Sequence, residues 1–329
     1  MRHQLCVSFA TALIWLAPNS LVPASEKDSP PAGNQGVQIT ELTNRLRVEI
    51  NGRLFTEYYF KDVPRPYCYP LIGPGETAMT RNWPMKNPPD EEHDHPHHRS
   101  FWFAHGAING EDFWTEQKKC GKTIHDRFVE VKSGSKYGII KSRNNWVSAA
   151  GKLVCTDERT LKIYSLGPAD ERMMDFDITL NATNEELTFG DTKEGTLAVR
   201  LAETMRLKGK VGHGHIINSA GVRDGDTWGK RADWCDYHGP VDGKTVGIAI
   251  FDHPKNPHHP TWWHVRDYGL FAANPFGQHD FEKLADTSAG NLTVPAGKSI
   301  TFRYRLYLHP GDEQQAKVTE KYQQYVKSK

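Results

Sequence analysis

The sequence lacks most of the motifs that mark common enzyme classes. Five cysteines occur among 329 residues, and none forms a CxxC pair, which excludes a zinc ribbon or a thioredoxin-like motif. The nucleophile motif GxSxG, the Walker loop, the dinucleotide fingerprint GxGxxG and the zinc-protease motif HExxH are all absent. We therefore expect no nucleotide cofactor.

An excess of charge of one sign is also missing. Lysine and arginine number 41, aspartate and glutamate number 40, and the mean hydropathy is −0.65. This balance predicts neither a nucleic-acid stripe nor a membrane-surface patch. Because no run of about 18 apolar residues follows residue 24, we expect no membrane span in the mature chain.

The N-terminus has the pattern of a cleaved secretory signal. Arg2 and His3 precede an apolar run over residues 5–17, and small residues stand at −3 and −1 of a cleavage site after Ala24. We predict a signal peptide over residues 1–24, a disordered tether over 25–36 and export to the periplasm or the medium. Export permits disulfides among the four remaining cysteines, but buried free thiols are an equally good interpretation.

Residues 37–329 predict a single all-β domain. Leu46, Val48 and Ile50 alternate with polar residues before an Asn51-Gly52 hairpin turn, and residues 299–308 form the clearest strand, with one core face and one solvent face. Only residues 311–329 predict a helix, with Asp312 as N-cap. About fifteen strands without a βαβ rhythm predict a large antiparallel β-sandwich, of which the galactose-mutarotase-like supersandwich is one form.

Histidines are concentrated in one stretch. Five of the sixteen lie between His93 and His105, and a second stretch over residues 253–267 repeats the mixture of His, Pro, Trp, Arg and Asp. We expect the two stretches to meet in one pocket at an end of the sandwich. His93, His95 and His98 beside Asp94 are candidate ligands of a divalent metal such as Zn, Ca, Mn or Fe. Histidines that only form hydrogen bonds to a substrate and to one another are the equal alternative.

Acid–base candidates lie in both stretches and between them. Asp112 precedes an aromatic pair that could raise the pKa of its carboxyl group, although an Asn-Gly turn with exposed acids is as common. The full set of catalytic candidates comprises imidazoles and carboxylates: His95, His105, Asp112, Glu194, Glu203 and His264.

Indole and guanidinium groups are the candidates for substrate binding. Indole faces stack on sugar rings, and arginine donates hydrogen bonds to hydroxyl and acidic groups. Tryptophans that close the end of the sandwich are the alternative interpretation. The candidates are Arg81, Trp83, Arg99, Trp102, Trp114, Trp263, Arg266 and Asn274.

Several longer motifs resemble those of the bacterial family known as "methane oxygenase PmoA". They include Thr80-Arg81-Asn82-Trp83-Pro84, the segment over residues 94–100 and the segment over residues 263–277. The resemblance covers nearly all of the mature chain and implies an exported bacterial β-sandwich protein. The methane mono-oxygenase subunit of that name spans the membrane several times, so we do not expect that activity here.

The sequence favours a secreted carbohydrate-active enzyme with a histidine-rich site that binds a carbohydrate or another polar small molecule. Glycoside cleavage, elimination and epimerisation, with or without a metal, all fit this composition. A non-catalytic carbohydrate-binding protein is the alternative. A deep pocket with converging His, Arg and carboxylate groups would favour the enzyme, and a shallow aromatic platform the binding protein.

Overall fold

The structure is a computed structural model that describes Met1 and residues 35–166 and 171–328. The predicted signal peptide and nearly all of the predicted tether lie outside the described residues. Within the described ranges, no helix has both the length and the apolar character needed to cross a membrane.

Eighteen strands lie in the described residues. The first nine are β1 (Val37–Glu41), β2 (Arg45–Ile50), β3 (Arg53–Tyr59), β4 (Tyr67–Cys68), β5 (Phe101–His105), β6 (Lys122–Lys132), β7 (Tyr137–Val147), β8 (Leu153–Tyr164) and β9 (Arg172–Ala182). The others are β10 (Leu187–Phe189), β11 (Gly195–Arg200), β12 (His215–Asn218), β13 (Trp234–Val241), β14 (Lys244–Asp252), β15 (Trp262–Val265), β16 (Leu270–Asn274), β17 (Leu292–Val294) and β18 (Ser299–Pro310).

The strands form two large antiparallel sheets, which confirms the predicted β-sandwich. The first sheet has the order β1-β2-β3-β4-β5-β11-β16-β15, and the second has the order β12-β13-β14-β18-β9-β8-β7-β6. Strands β10 and β17 pair separately. Phe176 of the second sheet packs against Phe101 and Phe103 of the first, with ring centroids 5.6 and 5.9 Å apart. The main core therefore lies between the sheets.

The β2–β3 hairpin follows directly from its sequence. Leu46, Val48 and Ile50 are buried as their alternation predicts. Asn51 and Gly52 have φ values of 52° and 75°, the left-handed conformation that a two-residue hairpin turn requires and that Asn and Gly tolerate best.

Two α-helices lie in the described residues, α1 (Gln278–Glu282) and α2 (Val318–Lys327), with short 3₁₀ turns at Pro74–Glu76, Glu203–Met205 and Asp224–Thr227. Helix α2 lies within the predicted range but begins at Val318 rather than near residue 311, and it buries Val318, Tyr322 and Tyr325. Asp312 accepts hydrogen bonds from the backbone of Gln314 and Gln315 rather than capping α2 itself.

Strand β18 differs from its prediction on one face. Arg305 and Tyr307 were predicted to face solvent, but they are 7 % and 0 % exposed. Tyr307 packs in a second apolar cluster with Phe251 and the tyrosines of α2. The C-terminal helix thus covers the outer face of the second sheet, an effect that the alternation within β18 cannot reveal.

Cys68, Cys120, Cys155 and Cys235 are free and buried. Of the two interpretations left open by the sequence, the structure therefore has the free thiols.

Candidate functional site

A pocket of about 390 Å³ lies over the outer face of the first sheet. We call it the histidine pocket. It is lined by His95, His97, His98, Thr115, Lys193, Glu194, His264, Arg266 and Tyr268. Both unusual stretches contribute to it, so the predicted convergence of His95 and His264 is confirmed. Its place differs from the prediction, because the pocket covers a sheet face rather than an end of the sandwich.

The sheet register explains why this face has room for a pocket. Trp102, Ala198, Ala272 and His264 form one row across β5, β11, β16 and β15. The next residue on this face of β5 is Ala104. Small side chains between the indole and the imidazole leave open space above the sheet. Because successive residues of a strand alternate between faces, Trp263 packs into the core while His264 faces the pocket side.

Arg81 holds the histidine loop, which comprises residues 93–98. This side chain is fully buried and donates to the backbone carbonyl groups of Glu92, Asp94 and His95 at 2.9–3.3 Å. It also pairs with the Asp94 carboxylate. Arg81, predicted to bind substrate, therefore positions the loop instead.

Asp94 joins the histidine loop to the sheet. Its carboxylate accepts hydrogen bonds from Arg200 of β11 at 2.9 and 3.0 Å and pairs with His95 Nδ1 at 2.6 Å. Burial raises the pKa of Asp94, but His95, Arg200 and Arg81 together lower it well below its ordinary value. The carboxylate is therefore ionised at neutral pH.

These contacts orient two imidazoles. His95 donates from Nδ1 to the Asp94 carboxylate, which makes Nε2 the acceptor of the neutral ring. Arg200 donates to His98 Nδ1 at 3.0 Å, which places the proton of neutral His98 on Nε2. The rings of His95, His98 and Tyr268 stack, with His95 4.7 and 5.0 Å from the other two.

Three histidines of the pocket, His97, His98 and His264, are uncharged at neutral pH. Burial, followed by the charge of Arg65, lowers the pKa of His97 to about 3. Burial, followed by the charges of Arg266 and Lys193, lowers the pKa of His264 to about 3 as well. Burial likewise lowers the pKa of His98 well below its usual range. The pocket thus contains neutral imidazoles beside fixed cations.

Glu194 is the carboxylate that lines the histidine pocket. It immediately precedes β11, and Cβ of Glu194 would lie 2.8 Å from any Cβ at Gly106, so a glycine there leaves room for it. Burial raises the pKa of Glu194, and Lys193, 4.0 Å away, only partly opposes this effect. A carboxyl group that retains its proton more readily than usual suits a general acid.

Three other catalytic candidates, His105, Glu203 and Asp112, lie outside the pocket lining. His105 is fully buried, bonds from Nε2 to the Gly190 carbonyl at 2.8 Å and packs on Phe276. Glu203 pairs with Arg206 at the Glu203–Met205 turn. Both positions are explained by packing and ion pairing.

Asp112 organises a turn. Its carboxylate accepts hydrogen bonds from the backbone of Trp114 at 2.6 Å and Thr115 at 3.1 Å. Burial raises the pKa of Asp112, but these bonds and that of the Thr115 hydroxyl lower it overall. The expected rise caused by the neighbouring ring is therefore wrong.

Most of the predicted substrate-binding residues support the site from beneath or beside it. Trp102 and Trp114 are buried and pack against His98 at 5.3 and 5.8 Å. Trp263 lies in the core and donates to the Ala232 carbonyl. Asn274 is buried and donates to the Thr192 carbonyl. Of the tryptophans proposed as stacking platforms, these three are covered by protein.

Trp83 and Arg99 have partners within the chain. Trp83 stacks on His93 at 4.3 Å and donates to the Asp94 carbonyl. Arg99 makes a bidentate pair with Glu116 at 2.9–3.0 Å. Of the predicted substrate-binding set, Arg266 is the residue that lines the pocket.

The three predicted metal ligands do not all come together, because His93 lies apart from His95 and His98. His93 bonds to the Pro88 carbonyl at 2.9 Å and stacks on Trp83, outside the pocket lining. Among the described residues, one group has the geometry to hold a metal ion, and it comprises Asp236, His238 and Glu313. This cluster lies on the second sheet, where Asp236 also bonds to His238 and His309 at 2.7 Å each.

A larger cavity of about 890 Å³ lies beside α2 on the outer face of the second sheet. Four of its charged side chains form two ion pairs, Arg305 with Asp175 at 2.5 Å and Lys321 with Glu171 at 2.7 Å. Histidine is absent from the lining that the described residues form. The smaller histidine pocket therefore has the better chemistry for a functional site.

Sequence analysis missed Lys193, Tyr268 and Thr115 as pocket residues, and it did not include His97 among its site candidates. Lys193 precedes the candidate Glu194, Thr115 follows the candidate Trp114, and Tyr268 lies two residues after Arg266, so proximity to candidates was an available signal. The turn at Asp112 brings Thr115 to the pocket.

Known structures with similar folds include two galactose mutarotase-like proteins. The galactose mutarotase related enzyme of Lactobacillus acidophilus is 9 % identical, with a TM-score of 0.32, over 83 % of this chain and 97 % of that one. A galactose mutarotase-like protein of Clostridium acetobutylicum is 8 % identical, with a TM-score of 0.39, over 84 % and 99 %. A polysaccharide lyase is 11 % identical, with a TM-score of 0.31, over 86 % and 34 %.

No curated protein sequence matches the chain significantly. A family profile, in contrast, matches residues 45–323, which include every strand except β1 and every residue of the histidine pocket. The chain therefore belongs to the family of unknown function DUF6807.

Proposed function

We propose that the chain is a carbohydrate-active enzyme that transfers protons at a sugar carbon, by elimination or epimerisation. The observation that carries the proposal is the convergence of neutral histidines, one carboxyl group of raised pKa and an arginine in one pocket. Perturbed acid and base groups gathered in a cleft are typical of an active site. Three of the four tryptophans predicted for sugar stacking are buried, and the fourth, Trp83, lies outside the pocket lining, so the pocket lacks the open aromatic platform of a binding protein.

The carboxylates in the pocket argue against ordinary glycoside hydrolysis. Most glycosidases use two carboxyl groups on either side of the scissile bond. Glu194 lines this pocket, whereas Asp94 is engaged by two arginines and Asp112 by its own turn. This pocket instead pairs an imidazole, which can act as the base, with a single carboxyl group, which can act as the acid.

In this proposal His95 is the base and Glu194 the acid. In an elimination, His95 Nε2 accepts the carbon-bound proton, the C–H electron pair forms a C=C bond, and the C–O bond breaks as Glu194 protonates the departing oxygen. In an epimerisation, the carbanion takes the proton of Glu194 on its opposite face. Asp94 orients His95 and stabilises its protonated form.

The test is proton exchange at carbon. The full chain is incubated in D₂O with a panel of neutral and acidic oligosaccharides, and NMR detects deuterium incorporation or new C=C bonds. General acid–base groups contribute about 10²–10⁴-fold to rate, so His95→Gln and Glu194→Gln should each lose at least about 10²-fold. Matched controls are His93→Gln, outside the pocket, and Glu186→Gln, on the surface.

A protein that binds these saccharides without exchange or elimination would instead be a non-catalytic carbohydrate-binding protein. Equal rates in His95→Gln and His93→Gln would remove His95 from the mechanism even if turnover occurs.

The divalent metal predicted from the sequence belongs, in our proposal, to the Asp236 cluster rather than to the histidine loop. Two carboxylates and an imidazole suit Zn, Mn or Fe better than Ca, which prefers six to eight oxygen ligands. Export and kinship with the "methane oxygenase PmoA" family stay proposals. N-terminal sequencing of the protein from the periplasm or medium should begin near Ser25, and an intact Met1 would contradict export.

A further inference from the structure

Arg266 is a cation without an anionic partner in the histidine pocket. Its guanidinium carbon lies 5.6 Å from the ring centre of Trp228 and 5.5 Å from that of Tyr268. No carboxylate of the described residues forms an ion pair with it. Neighbouring arginines differ in this respect, since Arg81 and Arg200 share the carboxylate of Asp94. Arg266 is therefore held by rings and left available for hydrogen bonding.

Lys193 adds a second cation to the same lining. Its ammonium group is 4.0 Å from the nearest carboxylate, Glu194, at the outer limit of an ion pair. Lys193 and Arg266 together carry two positive charges, and Glu194 carries at most one negative charge. The lining therefore has a positive excess of at least one charge, and Arg266 can form two parallel hydrogen bonds.

The charges of both cations reach the interior of the pocket. Burial makes the largest contribution to the lowered pKa of His264, and the charges of Arg266 and Lys193 lower it further. An anion bound between them would neutralise this field, whereas a neutral sugar would leave it unopposed. The guanidinium group of Arg266 is itself planar, and its pairs of N–H donors match a planar acceptor such as a carboxylate.

We infer that the histidine pocket takes an acidic saccharide whose carboxylate is bound by Arg266, with Lys193 as the second cation. This inference rests on the proposed function and names its substrate class. A carboxylate supplies the negative charge that the lining lacks. Phosphate and sulfate esters of a sugar are also negatively charged, so these groups serve as separate arms of the test.

The experiment compares saccharides whose carboxyl groups are either charged or methyl-esterified. Binding to the full chain is measured by calorimetry for trimers of galacturonic, mannuronic and guluronic acids and for their methyl esters. We expect the acids to bind at least about tenfold more tightly, which corresponds to ~1.4 kcal/mol. The preference should weaken as salt is raised. Glucose 6-phosphate and glucose 6-sulfate form the other arms.

Variants assign the preference to one side chain. Arg266→Gln should bind the acids and the esters equally, and Arg266→Lys should retain part of the difference. Arg231→Gln is the matched control, because Arg231 lies over Trp262 at 4.4 Å in a similar arrangement but outside the pocket. Circular dichroism and thermal unfolding confirm that each variant is folded.

The outcomes separate this inference from the proposed function. An Arg266-dependent preference for the acids without turnover would support the inference and contradict the proposed function. Turnover that needs His95 but is equal for acids and esters would do the reverse. A preference that survives in Arg266→Gln, a stronger preference for the phosphate or sulfate, or failure of all the saccharides to bind at millimolar concentration would overturn the inference.

Discussion

The Asp94 carboxylate accepts two hydrogen bonds from the Arg200 guanidinium, at 2.9 and 3.0 Å. Arg200 lies on β11, 106 residues further along the chain, and it also donates to His98. One buried cation therefore fixes the histidine loop to the sheet and sets the tautomer of an imidazole in the pocket. The geometry of the site depends on this pair.

Asp94→Asn should destabilise the protein. Arg81 and Arg200 are both fully buried and would lose their anionic partner, while the shape of the side chain is kept. Removing one member of a buried pair costs about 3–5 kcal/mol, and because the Asp94 side chain is 30 % exposed we expect ~3 kcal/mol. Urea unfolding measures the change. Asp90→Asn on the surface is the control, and an equal effect of both substitutions would contradict this account.

The same carboxylate predicts a dependence on pH. The pKa of Asp94 is lowered in the folded state, whereas an unfolded aspartate has a pKa of about 3.9. Its stabilisation is therefore fully present above about pH 4 and is lost as the pH falls towards the folded-state pKa. The difference in unfolding free energy between the wild type and Asp94→Asn should be constant from pH 5 to 7 and shrink below about pH 4. A difference that grows on acidification would refute the assignment.

His97 and His264 should remain neutral across the physiological range. The pKa of each is lowered to about 3, mainly by burial. In an NMR titration of ¹⁵N-labelled protein, their ring signals should not shift between about pH 5 and 8, a window in which an ordinary histidine titrates. His97→Gln and His264→Gln assign the signals. A midpoint near pH 6.5 for either ring would mean that water reaches it freely.

Metal binding should depend on the second sheet. If the purified protein retains a divalent metal, elemental analysis should show its loss in Glu313→Gln, because Glu313 supplies one of the three converging donors. His93→Gln should keep the metal, since His93 bonds to a backbone carbonyl away from the pocket. The reverse pattern would return the metal to the histidine loop.

Some of the errors in the sequence analysis were avoidable. Side chains two residues apart on a strand lie on the same face. His105 therefore shares the core face of β5 with Phe101 and Phe103, and Trp263 shares the core face of β15 with Val265. The same rule places His264 on the opposite face. The convergence of the two histidine-rich stretches was predictable because their composition suits neither the core nor the solvent.

Other features could not be predicted from local sequence. The roles of Arg81 and Arg200 arise from pairing with a carboxylate on a distant loop, and charge pairs of this kind leave no periodic trace. Whether Arg99 is free for a substrate depends on where Glu116 lies, which only the folded chain determines. The single carboxylate of the pocket was likewise one of several similar acids in the sequence.

Helix α2 and the histidine pocket lie on opposite outer faces of the β-sandwich. The helix covers the outer face of the second sheet, and the pocket opens over the outer face of the first. A chain attached to a bead or a neighbouring module through the residues after α2 would therefore present its pocket away from the attachment point. Immobilisation at that end leaves a long polymer free to approach the site.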